Sequence, residues 1–383
     1  MGRKLHRKRR SYYRRRSKNT LKPILGWALA AIILIPGSFF AAKFLFREKP
    51  TQDTPTGSTA ATTTVGGSTT VTTTVLPVVQ TDSFRGFTLP ASALADTANL
   101  SAVAKQAATD GLNCVVIELK NQQGNLLYVT ETEAGKKAGA ALPDAVTLKT
   151  VTDGFAALRK EGIAPIPLLY CFEDAMAPRT LADAKVVTTG HADWTWYDGD
   201  PKNGGRPWLN PYADAAQAYI TALAEELQTA GAGGVMLDGV YFPAQTSQAD
   251  FTAGSNATLS KGDVLKQFMS RMDTLCDVPV LLRCSANAAL GNTTAAYHIS
   301  PLDLGAACVV TDMRQSAVGA KLSVAGEMHN VSAETLPDTV TRVADAMKTR
   351  VKDGNFALLL DDTDALTNAL IAADKNASFF LAE

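Results

Sequence analysis

The chain has 383 residues, of which 46% are hydrophobic, and its 37 Lys and Arg balance 37 Asp and Glu. The balance is not local: residues 1–22 hold eleven Lys and Arg and no acid, which leaves 26 basic against 37 acidic residues, a charge of −11, on the other 361. An acidic body argues against nucleic acid as the partner, and a chain of this length allows two or three domains or one β/α barrel of about 250 residues with attachments.

Residues 1–22 read as a basic cytoplasmic tail and residues 23–46 as a transmembrane helix. Pro23 to Ala42 carries no charge and is mostly apolar, with Lys22 and Lys43 on either side and Trp27 near one end. A helical run of that length spans about 30 Å, the thickness of the hydrocarbon layer. The basic block sets its N-terminal side in the cytoplasm and the rest outside the cell membrane. A cleaved signal peptide is the rival reading, although the run is long for one and no A-x-A site follows it. Residues 47–82 read as a Thr-rich flexible linker: thirteen of the 32 residues from 51 to 82 are Thr. Such a segment buries too little apolar surface to offset ordering. As a coil it averages about 30 Å end to end.

From residue 83 onward apolar runs alternate with amphipathic stretches. Strands are predicted at Arg85–Ala91, Cys114–Lys120, Ala164–Phe172, Gly234–Asp238, Val278–Cys284, Gly305–Asp312 and Phe356–Asp361, with a weak one at Leu322–Ala325. Helices are predicted at Leu94–Asp110, Leu148–Glu161, Pro211–Ala230, Lys261–Leu275, Ala333–Val351 and Thr363–Ala373, with Gly162, Gly231 and Gly354 as stops. Strands separated by helices pair in parallel through right-handed crossovers. The expected fold is an α/β (β/α)8 barrel of TIM type over residues 83–383, with a doubly wound open sheet as the alternative. No G-x-G-x-x-G follows the first strand, which weakens the dinucleotide-binding version.

The cysteines Cys114, Cys171, Cys276, Cys284 and Cys308 show no C-x-x-C spacing, so buried free thiols are the default and one disulfide stays open. The histidines His6, His191, His298 and His329 are not spaced as ligand pairs. With no H-E-x-x-H, G-x-S-x-G, Walker or EF-hand pattern, neither a metal nor a cofactor is expected.

Carboxylates at strand ends remain. Glu118, Glu173 with Asp174, Asp238, Asp312, and Asp361 with Asp362 all follow predicted strands, and in a barrel these ends converge on one mouth. Paired carboxylates suit glycoside hydrolysis, one as acid and the other as nucleophile or base, at about 5–5.5 Å or 6.5–9.5 Å. Acids after strands are also ordinary turn formers and caps. Asp238 is the first candidate, because an apolar strand delivers it to the mouth. Alternation puts Val116, Glu118 and Lys120 on one face. The aromatics Trp194, Trp196, Tyr197, Trp208 and Tyr212 crowd one loop, where a sugar platform competes with a self-packed loop.

Five motifs, in order, carry a resemblance: Arg85-Gly86-Phe87; Val116-Ile117-Glu118-Leu119-Lys120 with Gly124; Phe172-Glu173-Asp174; Trp208-Leu209-Asn210-Pro211-Tyr212; and Leu237-Asp238-Gly239-Val240-Tyr241-Phe242-Pro243. Together they resemble a glycoside-hydrolase-type family of bacterial β/α-barrel domains, itself a domain of unknown function related to the alpha-amylase-like barrels. The family often has Arg where Tyr241 stands, and related barrels often carry an acid where the fifth strand here ends Arg283-Cys284-Ser285. The resemblance implies a glycoside-hydrolase-type barrel with a sugar-like ligand; joined to the basic tail and apolar segment, the expectation is a membrane-anchored extracytoplasmic glycoside hydrolase acting on cell-envelope or environmental polysaccharide. Asp238 is one carboxylate and Glu118, Glu173 or Asp312 the other. Lys120 and Arg85 orient hydroxyls or anionic groups, Trp208 and Tyr212 form a platform, and Tyr241 completes the binding set. Arg85 reads equally as part of a barrel-bottom ion pair. Two other classes stay open: an inactive barrel that binds envelope glycan, and a structural envelope protein. The sequence leaves the oligomeric state open.

Overall fold

A computed structural model describes residues 83–252, 256–293, 295–351 and 355–382. The expected basic tail, transmembrane helix and linker, and the proposed stop at Gly354, lie outside the described residues. Among the described residues no helix is long and apolar enough to cross a membrane.

Eight parallel strands form a closed ring: β1 Arg85–Leu89, β2 Cys114–Lys120, β3 Ala164–Tyr170, β4 Val235–Asp238, β5 Val280–Ser285, β6 Cys308–Asp312, β7 Asn355–Asp361 and β8 Ser378–Ala382. Each pairs with its sequence neighbours, and β8 closes on β1 through Phe379 beside Arg85. Carried once around the ring, the register is displaced by about eight residues, the shear of a TIM barrel. Crossover helices α1 Thr97–Thr109, α2 Leu148–Lys160, α3 Asp214–Thr229, α4 Lys261–Leu275, α5 Leu336–Arg350 and α6 Asp364–Ala373 lie between strands. Among the described residues, the β5–β6 connection carries the short helix Ala286–Ala289 and a 3-10 turn at Pro301–Asp303.

The helix starts follow from local chemistry. Asp96, Thr147, Ser260 and Thr363 each accept a hydrogen bond from a first-turn amide, which satisfies a backbone donor the helix cannot. The strands are buried on both faces, so they read as unbroken apolar runs. Inward positions such as Val116, Ile166, Met236, Leu281, Val310 and Leu359 pack into one lumen cluster. Outward positions join the sheet–helix layer. Gly86 is required by the lumen: a Cβ there would lie 2.5 Å from Phe380 Cδ1 and 2.9 Å from Cys114 Sγ.

Two expectations need correction. The weak strand near Leu322 is real, at Lys321–Val324, but it pairs antiparallel with Glu327–Asn330 outside the ring. The ring is completed instead by β8, whose five residues are all buried. A short apolar run after α6 has no alternation to announce it, and the tight Asp374–Asn376 turn before it reads as the tail of a helix. The other correction is at Lys120. A bulge between Glu118 and Lys120 sets Glu118 beside Leu168 but Lys120 beside Leu169. The extra residue breaks the alternation and turns Lys120 out of the lumen. All five cysteines are free and buried, so the open disulfide is absent.

Candidate active site

A cleft of about 270 Å³ opens at the C-terminal ends of the strands, lined among others by Tyr170, Asp238, Tyr241, Arg283, Tyr297 and Asp312. Strand register brings the polar groups together. Asp238 ends β4 level with Tyr170 of β3. Arg283 follows Leu282, which pairs with Leu237, so it stands next to Asp238 across the β4–β5 pair. Asp312 is level with Ser285, one inward position higher than Arg283. Glu118 is level with Leu168, one inward position deeper than Tyr170.

Arg283 organises this group. Its Nε donates to Asp238 Oδ2 at 2.5 Å, its second nitrogen donates to the Tyr170 hydroxyl, and its guanidinium carbon lies 5.2 Å from the Tyr170 ring centroid. Asp238 Oδ1 accepts from the Gly239 N–H at 2.5 Å. Burial pushes the Asp238 carboxyl above the ordinary carboxylate range, with Arg283 and the Gly239 amide pulling against it. Burial also pushes Glu118 up; Asp238 adds to the rise, while Arg283 and Arg314 oppose it. Glu118 is half-buried and accepts no protein hydrogen bond among the described residues. Asp312 is gripped on both oxygens by Arg314, at 2.9 Å to Oδ1 and 2.5 Å to Oδ2.

Of the remaining candidates, Tyr241 lines the cleft and the others do not. Glu173 is buried and accepts from Gln122 at 2.8 Å, from Arg206 at 2.7 Å and from the Tyr241 hydroxyl. Tyr241 lines the cleft with its ring and packs edge-on against Tyr297, centroids 5.5 Å apart. Lys120 is fully buried, 2.8 Å from Asp174 Oδ2. That contact is ionic rather than a directed hydrogen bond, since no aligned donor meets Oδ2. Asp174 Oδ1 accepts the amides of Met176 and Ala177 at 2.7 and 2.8 Å. A Cβ at Gly124 would sit 2.1 Å from that same oxygen, which explains the glycine of the second motif.

Trp208 is 4% exposed, with Nε1 donating to Asp198 Oδ2 at 2.9 Å. Tyr212 is buried and donates to the Leu259 carbonyl at 2.9 Å. Neither presents a face to the cleft. Arg85 stands at the opposite end of the barrel, where it donates to the Lys375 carbonyl at 2.5 Å. Trp196, Trp208 and Tyr212 thus pack against their own loop and the β4–α4 loop rather than the cleft. Trp194 is the exception, 61% exposed and stacked on His191 with centroids 4.1 Å apart.

Tyr170, Arg283, Tyr297 and Arg314 are not singled out by the sequence as site residues. Parity holds a signal for one of them: continuing the inward series from Leu281 places Arg283 in the lumen, where an unpaired charge is too costly to be incidental. Among the described residues no group of three or more His, Cys, Asp or Glu is placed to hold a metal.

Residues 86–288, more than half of the chain, match the family model described as "putative glycosyl hydrolase domain". The chain belongs to that glycosyl hydrolase domain family. No curated protein matches it. Among solved structures, the glycosyl hydrolase domain is similar to a hypothetical protein from Ruminiclostridium thermocellum, at 18% identity over 51% of this chain and 96% of that one, TM-score 0.42. An exo-β-N-acetylglucosaminidase of family 20 from Vibrio harveyi shows 11% identity over 72% of this chain and 41% of its own, TM-score 0.42. The trehalose-6-phosphate hydrolase of Bacillus licheniformis shows 9% identity over 79% and 64%, TM-score 0.47. The chain thus spans about two-fifths of the Vibrio enzyme. With scores below 0.5, the barrel assignment rests on the strand ring itself.

Proposed function

We propose that this glycosyl hydrolase domain binds a glycan at its C-terminal mouth and cleaves a glycosidic bond, with Asp238 as nucleophile or base and Glu118 as proton donor. The observation that carries this reading is Asp238 paired with Arg283 on the wall of an open cleft, with Glu118 one inward position deeper on β2. Asp238 holds two donors that favour its charged form. Burial pushes both carboxyls up, and Glu118, which accepts no side-chain hydrogen bond among the described residues, is the one left to carry the proton. Both strands flanking β4 at second position, β2 and β6, stand about 10 Å away in backbone spacing. Two-carboxylate hydrolases use carboxyl separations of about 5–5.5 Å or 6.5–9.5 Å. Asp312 is the poorer acid, because Arg314 occupies both of its oxygens. Tyr170, Tyr241 and Tyr297 supply aromatic walls for a sugar ring.

A glycan screen on the wild type, Asp238→Asn and Glu118→Gln tests this. Loss of cleavage by about 100-fold or more in each variant is expected for an acid–base group. Cleavage persisting in Asp238→Asn removes Asp238 from the mechanism. A second reading, glycan binding without turnover, draws support from the Arg283 pairing that ties Asp238 down. Binding without cleavage in wild type and Asp238→Asn alike would establish it. The open cleft speaks against a purely structural protein.

The same proposal sets the barrel outside the cell, tethered by the apolar segment 23–46 behind the basic tail 1–22 and lifted by the linker 47–82. Protease treatment of intact cells should remove the barrel and leave an N-terminal epitope tag protected. A barrel protected along with the tag would overturn the topology.

A further inference from the structure

A second cavity, of about 470 Å³, opens on the β3–α3 and β4–α4 loops and is lined by Thr189, Tyr212, Asp250, Phe251, Thr252 and Lys261 among others. None of these residues lines the cleft around Asp238. Lys261 is the unusual member. It is the first residue of α4, where the positive end of the helix dipole disfavours a cation. Its ammonium lies 5.1 and 5.0 Å from the ring centroids of Phe242 and Phe251. Burial holds its pKa below the ordinary lysine value. Among the described residues no carboxylate comes within ion-pair distance of it. A half-withdrawn cation at a helix start, compensated only by aromatic faces, is a local conflict of the kind that marks binding sites.

The rest of the wall fixes the class of ligand. Tyr212 and Phe251 are buried aromatics at the cavity, and Thr189 and Thr246 offer hydroxyls. Asp250 accepts the Thr252 amide at 2.8 Å and hydroxyl at 2.5 Å through Oδ1, and among the described residues Oδ2 has no donor and stands to accept a ligand hydroxyl. We propose that this cavity is a second saccharide site, for a sugar bearing a carboxylate, with Lys261 meeting the carboxylate and Asp250 a ring hydroxyl. The anion half of the inference stands on Lys261 alone; the saccharide half rests on the glycan reading of the barrel.

Calorimetric titration of the full-length protein with a glucuronate-containing disaccharide, its neutral glucose counterpart and inorganic phosphate provides the test. One charge-assisted contact to Lys261 should give the uronate about tenfold or greater preference over the neutral sugar. Lys261→Met should abolish that preference, Lys261→Arg should keep most of it, and Asp238→Asn should leave it intact because the cleft is separate. Asp238→Asn also separates the two ideas: a failed hydrolase assay leaves the uronate preference readable. A preference that survives in a folded Lys261→Met protein overturns the site. So does binding of phosphate through Lys261 with no sugar bound, or equal binding of both disaccharides.

Discussion

Replacing Arg283 with Met keeps the apolar stem and removes the guanidinium that joins Asp238 to Tyr170. Asp238 keeps the Gly239 amide and loses its charged donor, while the Tyr170 hydroxyl loses the guanidinium N–H it accepts. The paired side chains are only 9% and 14% exposed. Removing one partner from a buried pair costs about 3–5 kcal/mol, and cleft water places this case near the lower figure. At about 2–4 °C per kcal/mol, the melting temperature should fall by about 6–12 °C. The cost should depend on pH. Asp238 already sits above its unfolded value of about 3.9, because burial outweighs its donors. Removal of Arg283 raises it further. A group with a raised folded pKa favours folding below its unfolded value, and that contribution is lost as pH rises through the folded value. The deficit of Arg283→Met relative to wild type should therefore be largest at about pH 8 and shrink toward about pH 4. Urea unfolding of the full-length chain across that range measures it. A deficit that stays flat with pH, or one that adding Asp238→Asn to the Arg283→Met variant fails to relieve, would refute the coupling.

Three further outcomes follow from contacts described above. Lys120→Met strands Asp174 in a dry site and should cost about 3–5 kcal/mol in denaturant unfolding, with partial recovery when Asp174→Asn is added. Gly239→Ala puts a side chain on a residue at φ +66°. It should destabilise by about 1–2 kcal/mol and lower any activity that depends on Asp238, as read from thermal melts and the glycan assay in parallel. Trp194→Ala should leave the melting temperature within the spread of surface substitutions, about ±0.5 kcal/mol; a larger loss would mean that the His191–Trp194 stack supports the loop.

Where period and punctuation agree, the sequence is a sufficient guide. Cys114–Lys120 and Lys261–Leu275 have the bounds that their apolar pattern and, for the helix, the Ser260 cap imply. What escapes is anything decided by a single inserted residue or by partners distant along the chain. The bulge at Leu119–Lys120 rotates Lys120 from the lumen to the helix layer without altering the look of the strand. The resemblance motifs likewise mix two kinds of residue that only coordinates separate. Asp238 and Tyr241 face the cleft, whereas Lys120, Gly124, Asp174 and Trp208 brace the loops around it. Arg283 escapes a scan of strand ends for acids; parity sets it in the lumen, and its pairing with Asp238 appears once β5 is registered against β4.

The pairing of β8 with β1 has a consequence for how freely the chain could be rewired. Phe84 donates to the Ser378 hydroxyl at 3.0 Å, and its carbonyl accepts the Phe379 amide at 2.6 Å, across a sequence separation of 294 and 295 residues respectively. The first and last strands of the ring are thus as close as any two neighbours, so the barrel has no structurally privileged starting point. Because β8 and β1 run parallel, joining residue 382 to residue 83 needs a crossover of about a dozen residues or more; with that added and the backbone opened at the exposed Asp110–Gly111 turn, every strand pair would be preserved while the pair that must form across the longest loop changes. Order of assembly and final architecture are separable in this molecule, and the β1–β8 seam is where they can be pulled apart.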